Sequence, residues 1–353
     1  MKEFNILVYG ANGYTGRLVL EELRKKGLRC TIAGRNEKQI KELAEKYQLD
    51  HRVFSLDNAN EIEKNIAEFK AVLHCAGPFI KTSQPMARAC INTGCHYLDI
   101  TGEIPVYEGL QKLDDEARRN KVMLLPGVGF DIVPTDCMAA MLKKQMPDAT
   151  HLELAFVGLG SASAGTTKSA LAQMPHGSLQ RMNSEMKKIA MFSLSREIEI
   201  NHQTYPVYTI PWGDVFTAYY STGIPNIVVY THFSKSVASM AGLTKPFLSL
   251  LKSDSVLKAA QGLVGMLVDG PDENTRETGK AYIWGEVRNA SKTLQGRMVT
   301  REGYKLTSLS SIAACEKIIE GKVKPGFQTP SQVFSENFVL EIDGTEKPEF
   351  LET

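Results

Sequence analysis

The sequence has little of what marks several large classes of protein. Lysine plus arginine number 41 and aspartate plus glutamate 40, so the formal net charge is only +1. A balance this even gives no electrostatic basis for binding nucleic acid or an anionic membrane. No apolar run approaches the length that spans a bilayer, and the chain enters a strand pattern at once, without a signal peptide. These absences predict a cytoplasmic protein with no nucleic-acid partner and no transmembrane segment.

The cysteines lack the spacing of a metal site or a disulfide framework. None of the six forms a C-x-x-C pair; they are Cys30, Cys75, Cys90, Cys95, Cys137 and Cys315. Most lie in apolar stretches, which is typical of buried thiols in a reducing compartment. We therefore predict no metal site and no disulfide. The sequence also contains no Tyr-x-x-x-Lys motif, which argues against the mechanism of the short-chain dehydrogenases.

What the sequence does have is a glycine-rich turn near its start. An apolar run ends at Gly10, and Gly13 and Gly16 follow at intervals of three before an amphipathic stretch. A strand, a tight turn and a helix N-terminus in this order form a seat for the diphosphate of a dinucleotide. A glycine turn without a ligand is the alternative. The residues predicted to line the seat are Gly10, Asn12, Gly13, Tyr14, Thr15 and Gly16.

The first part of the chain alternates between strand and helix patterns. The predicted strands are 5–10, 29–34, 53–56, 71–76, 96–100 and 122–125. Such alternation predicts an α/β fold with a doubly wound parallel sheet of the Rossmann type, which binds ligands at the carboxyl ends of its strands. We predict a dinucleotide-binding domain over 1–135, a second α/β domain with a mixed, largely antiparallel sheet over 136–305, and a C-terminal helix and strand over 306–353 that pack back on the first domain.

The end of the second strand indicates which dinucleotide is bound. An NAD site usually has an acidic residue here that holds the ribose 2′-hydroxyl, whereas this sequence has Arg35 followed by Asn36. A guanidinium suits a 2′-phosphate because its planar fork donates two hydrogen bonds and stays charged. The sequence therefore favours NADP over NAD, with a solvated arginine at a helix start as the alternative. Ser55 and Asp57, after the third strand, are predicted beside the adenine.

The loop after the fourth strand is predicted to pass beside the nicotinamide ribose. Ala76 and Gly77 are small enough to let the cofactor pass, and Pro78 stiffens the turn. We interpret His74, just before this loop, as a packed strand residue rather than a catalyst.

Three acidic residues follow the fifth and sixth strands, where chemistry is expected. Asp99 and Glu103 lie in one loop, and Asp131 follows Gly127 and Gly129 in the next. Either these carboxyl groups take part in the reaction, or this part of the chain caps the helices that come next. We take Asp99 and Asp131 as catalytic candidates for substrate polarisation or proton transfer.

The second half of the chain has a different pattern of strands. Its predicted strands are 152–157, 197–200, 206–210, 226–233, 281–288 and 293–300. Lys168 follows a small-residue loop at the start of a predicted helix and is the third catalytic candidate, with an exposed surface lysine as the alternative. Residues 237–268, from Val237 to Val268, are rich in leucine and poor in charge. A lid over an apolar substrate, a homodimer contact, a peripheral membrane contact and ordinary core helices all fit this segment.

As a set, these segments resemble the saccharopine dehydrogenase-like oxidoreductases, the broad family that includes the mycobacterial trans-acting enoyl reductases. The matching segments are GANGYTG at 10–16, AGRN at 33–36, CAGPF at 75–79, YLDITGE at 97–103, GFDIVPTD at 129–136, GTTKS at 165–169 and GFQTP at 326–330. The resemblance implies an NADP-binding Rossmann domain and a second α/β domain that shapes the substrate site.

The hypothesis from the sequence is hydride transfer between NADPH and a C=C, C=N or C=O bond. Members of the lysine pathway act on amino-acid adducts, but this chain lacks a basic cluster for several carboxylates. The apolar segment 237–268 favours a hydrophobic, lipid-like small molecule instead. A non-catalytic NADP-binding regulator that resembles the NmrA-type sensors and a lipid-surface-associated protein are the alternatives.

Overall fold

The computed structural model describes residues 2–158, 163–173, 177–234, 253–267 and 270–352. The chain forms two units, Met1–Val133 with Tyr304–Ile342, and Pro134–Gly303 with Asp343–Thr353. The C-terminal segment predicted to join the first domain as a whole is thus divided. Its helix lies in the first unit, whereas its last strand pairs within the second.

The strands of the described residues, in chain order, are β1 (Lys2–Tyr9), β2 (Leu28–Gly34), β3 (His51–Val53), β4 (Ala71–His74), β5 (His96–Asp99), β6 (Met123–Leu125), β7 (His151–Val157), β8 (Ser178–Met182), β9 (Glu185–Ile189), β10 (Ser195–Ile200), β11 (Gln203–Thr209), β12 (Asn226–His232), β13 (Lys280–Arg288), β14 (Thr293–Arg301), β15 (Gly326–Phe327) and β16 (Glu349–Glu352). The helices are α1 (Tyr14–Lys25), α2 (Glu37–Tyr47), α3 (Ala59–Ile66), α4 (Phe79–Thr93), α5 (Ile104–Gln111), α6 (Asp114–Arg119), α7 (Val133–Gln145), α8 (Ala164–Gln173), α9 (Asp214–Thr222), α10 (Asp254–Leu267), α11 (Glu273–Thr278), α12 (Gly303–Ile319) and α13 (Pro330–Phe334).

The first unit is built on a parallel sheet in the order β15-β6-β5-β4-β1-β2-β3. Its central strands are buried on both faces, as the side chains of β4 illustrate, because helices cover a doubly wound sheet on both sides. The predicted fold class is therefore confirmed. The chain order reverses between β1 and β4, and the loops after β1 to β6 all leave at the same carboxyl edge.

The sequence also predicts one helix at 106–120, a turn at 326–330 and a strand at 337–342, and the structure differs from each of these. The single helix expected after β5 is two, α5 and α6. The turn predicted at 326–330 contains β15, which adds a strand beside β6. The strand predicted at 337–342 is wrong, because Phe338–Glu341 form a short 3₁₀ helix. Its apolar run is too short for periodicity to distinguish a strand from a helical turn.

The second unit is built on a mixed sheet in the order β10-β11-β12-β7-β13-β14-β16, with β8 and β9 attached beside β12. Only β12 and β7 are parallel among its pairs in the described residues, so a largely antiparallel sheet is confirmed. The hairpin of β8 and β9 was not predicted, since its sequence is polar and lacks a clear apolar alternation.

Helix α7 packs on one face of this sheet. A Cβ at Gly285 would lie 2.7 Å from Leu142, and one at Gly296 would lie 2.5 Å from the sulfur of Met138, so glycines let the helix approach closely. Arg196 of β10 reaches the carboxyl groups of Glu153 and Glu286 at 2.6 and 3.1 Å. These contacts fix the β10–β11 hairpin against the sheet.

The apolar segment 237–268 lies partly outside the described residues. Its described part is α10, on which Val256, Leu263 and Leu267 are 41%, 58% and 73% exposed. Among the residues that the structure describes, we find no helix with the length and apolar character needed to cross a membrane.

Candidate functional site

The glycine turn after β1 leaves no room for side chains. Gly10 has φ +82°, and a Cβ there would lie 2.7 Å from the backbone nitrogen of Ala76. A Cβ on Gly16 would lie 2.5 Å from the carbonyl oxygen of Gly10, and one on Gly13 would lie 3.2 Å from the same atom. The turn therefore requires glycine for its conformation at Gly10 and for the close approach of α1 at Gly16.

Helix α1 begins at this turn in a way that suits an anion. Gly13 precedes the helix without a side-chain cap, and the first turn of the helix contains no acidic residue. Thr15 lies in that turn and is partly exposed, while the ring of Tyr14 stands edge-on to Tyr304 at 5.0 Å. A bare helix N-terminus with partial positive charge fits the diphosphate of a dinucleotide.

Two asparagines predicted as cofactor ligands have structural partners. Asn12 donates from Nδ2 to Oε1 of Gln39 at 2.6 Å, and its carbonyl oxygen accepts from Arg17 at 3.1 Å. Asn36 caps α2 by accepting the backbone N–H of Gln39 at 3.1 Å. These bonds join the glycine turn to the start of α2.

Arg35 follows β2 and is exposed; its guanidinium makes no ion pair with any described residue. Ser55 and Asp57 follow the neighbouring strand, where the Ser55 hydroxyl accepts the N–H of Asp57 at 3.3 Å. Burial raises the pKa of Tyr9 to about 12, while the charge of Arg35 opposes this rise and that of Asp57 adds to it. Arg35 and Asp57 therefore both lie within electrostatic reach of one tyrosine at the carboxyl edge.

The loop after β4 is tied to α4. Ala76 and Pro78 offer carbonyl oxygens to the hydroxyl of Thr82, at 2.7 and 3.2 Å. Gly77 is exposed and joined to Pro78 by a cis peptide bond. Glu103 lies in the next loop and accepts the N–H groups of the first two residues of α4, at 3.2 and 3.0 Å. The carboxyl group of Glu103 thus lies at the N-terminus of α4. Glu103 is also the N-cap residue of α5, but its side chain makes no capping bond to that helix.

Asp99 is the last residue of β5, and its carboxyl group is buried at the carboxyl edge of the sheet. Its fully buried carboxyl group accepts the hydroxyl of Tyr97 at 2.7 Å and the N–H groups of Thr101 and Gly127, each at 2.9 Å. Burial raises its pKa to about 6, and the three hydrogen bonds oppose that rise. Asp99 therefore joins the loops that follow β5 and β6.

Asp131 differs from Asp99 because the residue is half-buried rather than fully buried. A Cβ on Gly102 would lie 2.7 Å from Oδ2 of Asp131, so the carboxyl group rests against the loop after β5. The protein surrounding the group raises its pKa to about 7, first by burial and then by the charge of Glu103. A carboxyl group with this pKa can hold or release a proton near neutral pH.

The structure brings together Asp99, Glu103 and Asp131 but assigns Lys168 to the second unit. Lys168 lies on α8 and is partly exposed, and its carbonyl oxygen accepts from Gln261 of α10 at 3.2 Å. Thr135, also in the second unit, is buried and donates to Asp214 at 2.5 Å.

His74 is fully buried at the end of β4. Its ring lies 5.5 Å from the rings of Tyr9 and Phe79 and 6.1 Å from that of Tyr97. Neither ring nitrogen has a hydrogen-bond partner among the described residues, and burial lowers its pKa to about 3. The imidazole is therefore neutral in the folded protein over the ordinary pH range.

Sequence reasoning missed the hydroxyl groups that hold the Asp131 loop. Thr307 and Ser310 of α12 bond to backbone groups of Phe130 and Val128, at 2.9 and 2.7 Å. The available signal was the density of buried-position hydroxyls in an otherwise apolar helix. Nothing in the sequence linked that helix to a loop that lies 177 residues earlier.

The parallel sheet, its glycine turn and the bare N-terminus of α1 define a Rossmann-type dinucleotide-binding unit. More particularly, residues 6–125 match the family model described as the saccharopine dehydrogenase NADP binding domain.

Among relatives, the chain is 28% identical over 210 residues to "Lipid droplet localized protein" of Caenorhabditis elegans, covering 54% of this chain and 49% of that one. It is 25% identical over 210 residues to "Saccharopine dehydrogenase-like oxidoreductase" of Mus musculus, covering 52% and 49%. It is 27% identical over 155 residues to "Trans-acting enoyl reductase" of Mycobacterium leprae, covering 41% and 37%. The matches span about half the length of the first two relatives.

Among solved structures, saccharopine dehydrogenase (L-Glu forming) from Saccharomyces cerevisiae has a TM-score of 0.68 at 11% identity, over 99% of this chain and 100% of that one. A likeness at this identity shows the fold alone. The resemblance predicted from the motifs, to saccharopine dehydrogenase-like NAD(P)-dependent oxidoreductases, is confirmed by the family match and the named relatives.

Proposed function

We propose that this protein is an NADP-dependent oxidoreductase that transfers hydride between NADPH and a C=C, C=N or C=O bond of a hydrophobic small molecule. The observation that carries the proposal is the position of Asp131, a half-buried residue whose carboxyl group rests against the loop after β5, at the same sheet edge as the glycine turn. The cofactor, when bound, supplies the hydride, and the protein supplies orientation and the proton.

In the proposal, residues of the first unit hold each part of the cofactor. Gly10, Gly13 and the N-terminus of α1 would hold the diphosphate, because no side chain fills that space. Arg35 is exposed beside it and would bind the 2′-phosphate. Ser55 and Asp57 would flank the adenine, and the Ala76–Pro78 loop the nicotinamide ribose.

Reduction of a polarised double bond needs a proton at the atom that does not receive the hydride. In the proposal, protonated Asp131 donates this proton, becomes a carboxylate, and regains a proton from water. Burial and the neighbouring charge of Glu103 hold its pKa near 7, so the donor form is populated at neutral pH. Asp99 is fully buried and accepts three hydrogen bonds, so we assign it the task of fixing the loops around Asp131. Lys168, on α8 of the second unit, stays a catalytic candidate predicted from the sequence.

A panel of NADPH oxidation assays with long-chain 2-enals, aldimines and ketones tests the proposal. We expect turnover with at least one acceptor class, loss of most of that turnover in Asp131→Asn, and retained NADPH affinity in the variant. If NADPH binds tightly and no acceptor is reduced, the proposal fails in favour of a non-catalytic NADP-binding regulator.

A second candidate, association with a lipid surface, is favoured by the exposed apolar face of α10. Val256, Leu263 and Leu267 recur at helical spacing and are all exposed, which is unusual for a helix within a core. A relative named "Lipid droplet localized protein" supports the same candidate. We expect the protein to float with phosphatidylcholine vesicles and Leu263→Asp/Leu267→Asp to remain in the dense fraction. Flotation of both proteins alike would reject α10 as the contact.

A further inference from the structure

Helix α12 buries four hydroxyl residues beside Lys305 and its apolar side chains; they are Thr307, Ser308, Ser310 and Ser311. Two of them bond within their own helix, Ser308 to the carbonyl oxygen of Lys305 at 2.9 Å and Ser311 to that of Thr307 at 2.6 Å. Such bonds satisfy a buried hydroxyl without fixing anything outside the helix.

The other two reach the loop that carries Asp131. The Thr307 hydroxyl oxygen accepts the N–H of Phe130 at 2.9 Å, and the Ser310 hydroxyl donates to the carbonyl oxygen of Val128 at 2.7 Å. A Cβ at Gly129, between them, would lie 2.9 Å from Cγ2 of Thr307. The loop therefore lies directly on α12, and its backbone polar groups take their partners from the helix.

The opposite side of the same loop is held by Asp99. Its carboxyl group accepts the N–H of Gly127 at 2.9 Å, and its carbonyl oxygen accepts that of Val128 at 2.8 Å. The backbone leading to Asp131 is thus fixed from the sheet on one side and from α12 on the other.

The same helix also contacts the helix that begins at the glycine turn. Lys305 forms an ion pair with Glu22 of α1 at 3.0 Å, and both side chains are only 10–11% exposed. Tyr304 packs edge-on against Tyr14 in the first turn of α1. Successive turns of one helix thus touch α1 and the Asp131 loop.

We propose that Thr307 and Ser310 are positioning residues that set the place of Asp131 relative to α1. The inference rests on the proposed function, in which Asp131 donates a proton to a substrate held at the cofactor. Because α12 is a regular helix, its contact with α1 and its contact with the loop keep a fixed spacing. A displacement of about 1 Å at a reacting group lowers turnover by about a hundredfold, so this spacing matters for the rate.

The test compares three variants of the full chain. Thr307→Val keeps the shape and removes the acceptor for Phe130; Thr307→Ser keeps the hydroxyl; Ser308→Ala removes a buried hydroxyl that bonds only within the helix. The readouts are NADPH affinity by fluorescence, kcat against pH with the best acceptor of the panel, and amide hydrogen exchange at Phe130.

We expect Thr307→Val to lower kcat by about tenfold or more, to leave NADPH affinity unchanged and to speed exchange at Phe130. A looser loop exposes Asp131 to water, so the fall of kcat with pH should move to lower pH. Thr307→Ser should restore these properties, and Ser308→Ala should match the wild type. A general loss of folding would not move the pH profile.

Two results would overturn the inference. In the first, Thr307→Val keeps the kcat and pH profile of Ser308→Ala. In the second, Thr307→Val loses NADPH affinity and turnover together and Thr307→Ser does not restore them. If the wild type itself reduces no acceptor, it is the proposed function that fails, and the role in positioning a proton donor falls with it. If the wild type is active and the variants do not differ from it, the positioning role fails and the proposed function stands.

Discussion

Gly102 and Asp131 are in such close contact that a Cβ on the glycine would lie 2.7 Å from Oδ2 of the carboxyl group. The loops after β5 and β6 thereby meet at Asp131. Among the three acidic residues at this edge, Asp99 and Glu103 are buried, whereas Asp131 is half-buried and its pKa is raised to about 7. The absence of a side chain at Gly102 is what lets this carboxyl group occupy its place.

The first prediction concerns Gly102→Ala. Its Cβ would push on the far end of a flexible side chain, so we expect Asp131 to move and the fold to stay. Turnover should fall by about 10- to 100-fold, because a reacting group has been displaced, while NADPH affinity stays. Gly262→Ala is the matched control, since a Cβ at that helical position meets nothing within 4 Å. Equal activity of the two variants would show that the position of Asp131 does not limit the rate.

The second prediction concerns pH. The protonated form of Asp131 is the donor, so kcat for reduction should fall as pH rises through about 7. Glu103→Gln removes a negative charge that raises this pKa, so the fall should move to lower pH. Glutamine keeps one acceptor oxygen, which serves one of the two N–H groups of α4 that Glu103 accepts. Glu108→Gln, the same charge change at an exposed position of α5, should leave the profile in place. Identical profiles for all three proteins would contradict the role of Glu103.

The fold was predictable because its signals are local. Strand and helix patterns alternate along the first unit, and the rule for parallel sheets converts that order into a sheet with one functional edge. Asp99 was correctly expected at this edge, yet a sequence cannot reveal that Gly127, 28 residues later, supplies a donor that keeps its carboxyl group inside. The contact of Phe130 with Thr307 spans 177 residues and has no local signal at all. The hairpin of β8 and β9 escaped because its stability comes from its neighbours rather than from its own pattern.

The third prediction concerns the choice of cofactor. Arg35→Asp should weaken NADPH binding by about 10- to 100-fold, because a charge-assisted bond to the 2′-phosphate is worth about 1.5–3 kcal/mol. NADH affinity should change little, as NADH has no phosphate there. Arg24→Asp, an exposed arginine at the far end of α1, controls for the change in net charge. If titrations show that Arg35→Asp lowers the affinity for NADPH and NADH alike, Arg35 does not bind the 2′-phosphate.

The fourth prediction concerns His74. Its pKa is lowered from the ordinary 6.5 to about 3 by burial, so the folded state keeps the ring neutral while the unfolded chain protonates below about pH 6.5. Only the unfolded chain takes up this proton, so the free energy of unfolding falls as the pH is lowered below about 6.5. Between pH 7 and pH 5 the free energy of unfolding of the wild type should therefore fall by about 2 kcal/mol more than that of His74→Phe. Urea unfolding at the two pH values measures this, with His51→Gln, at an exposed position, as the control. If the free energy of unfolding falls equally in the wild type and in His74→Phe, the folded protein does not hold His74 in its neutral form.

The last prediction compares two ion pairs of α12, one with α1 and one with Lys26, the residue directly after α1. Lys305 and Glu22 are 10% and 11% exposed, whereas Lys26 and Glu316 are 42% and 34% exposed. Removing one partner of a buried pair costs about 3–5 kcal/mol because the other charge stays buried, whereas an exposed pair contributes at most about 1 kcal/mol. Lys25 also pairs with Glu22, at 2.7 Å, so Glu22 keeps one cationic partner when Lys305 is removed. Lys305→Met should therefore lower the free energy of unfolding by about 3 kcal/mol, the lower end of that range. Lys26→Met should cost less than about 1 kcal/mol. Because most of this loss comes from the buried charge left on Glu22, the double change Glu22→Gln/Lys305→Met should recover much of it. If Lys305→Met and Lys26→Met cost the same in urea unfolding, the pair does not hold the two helices together.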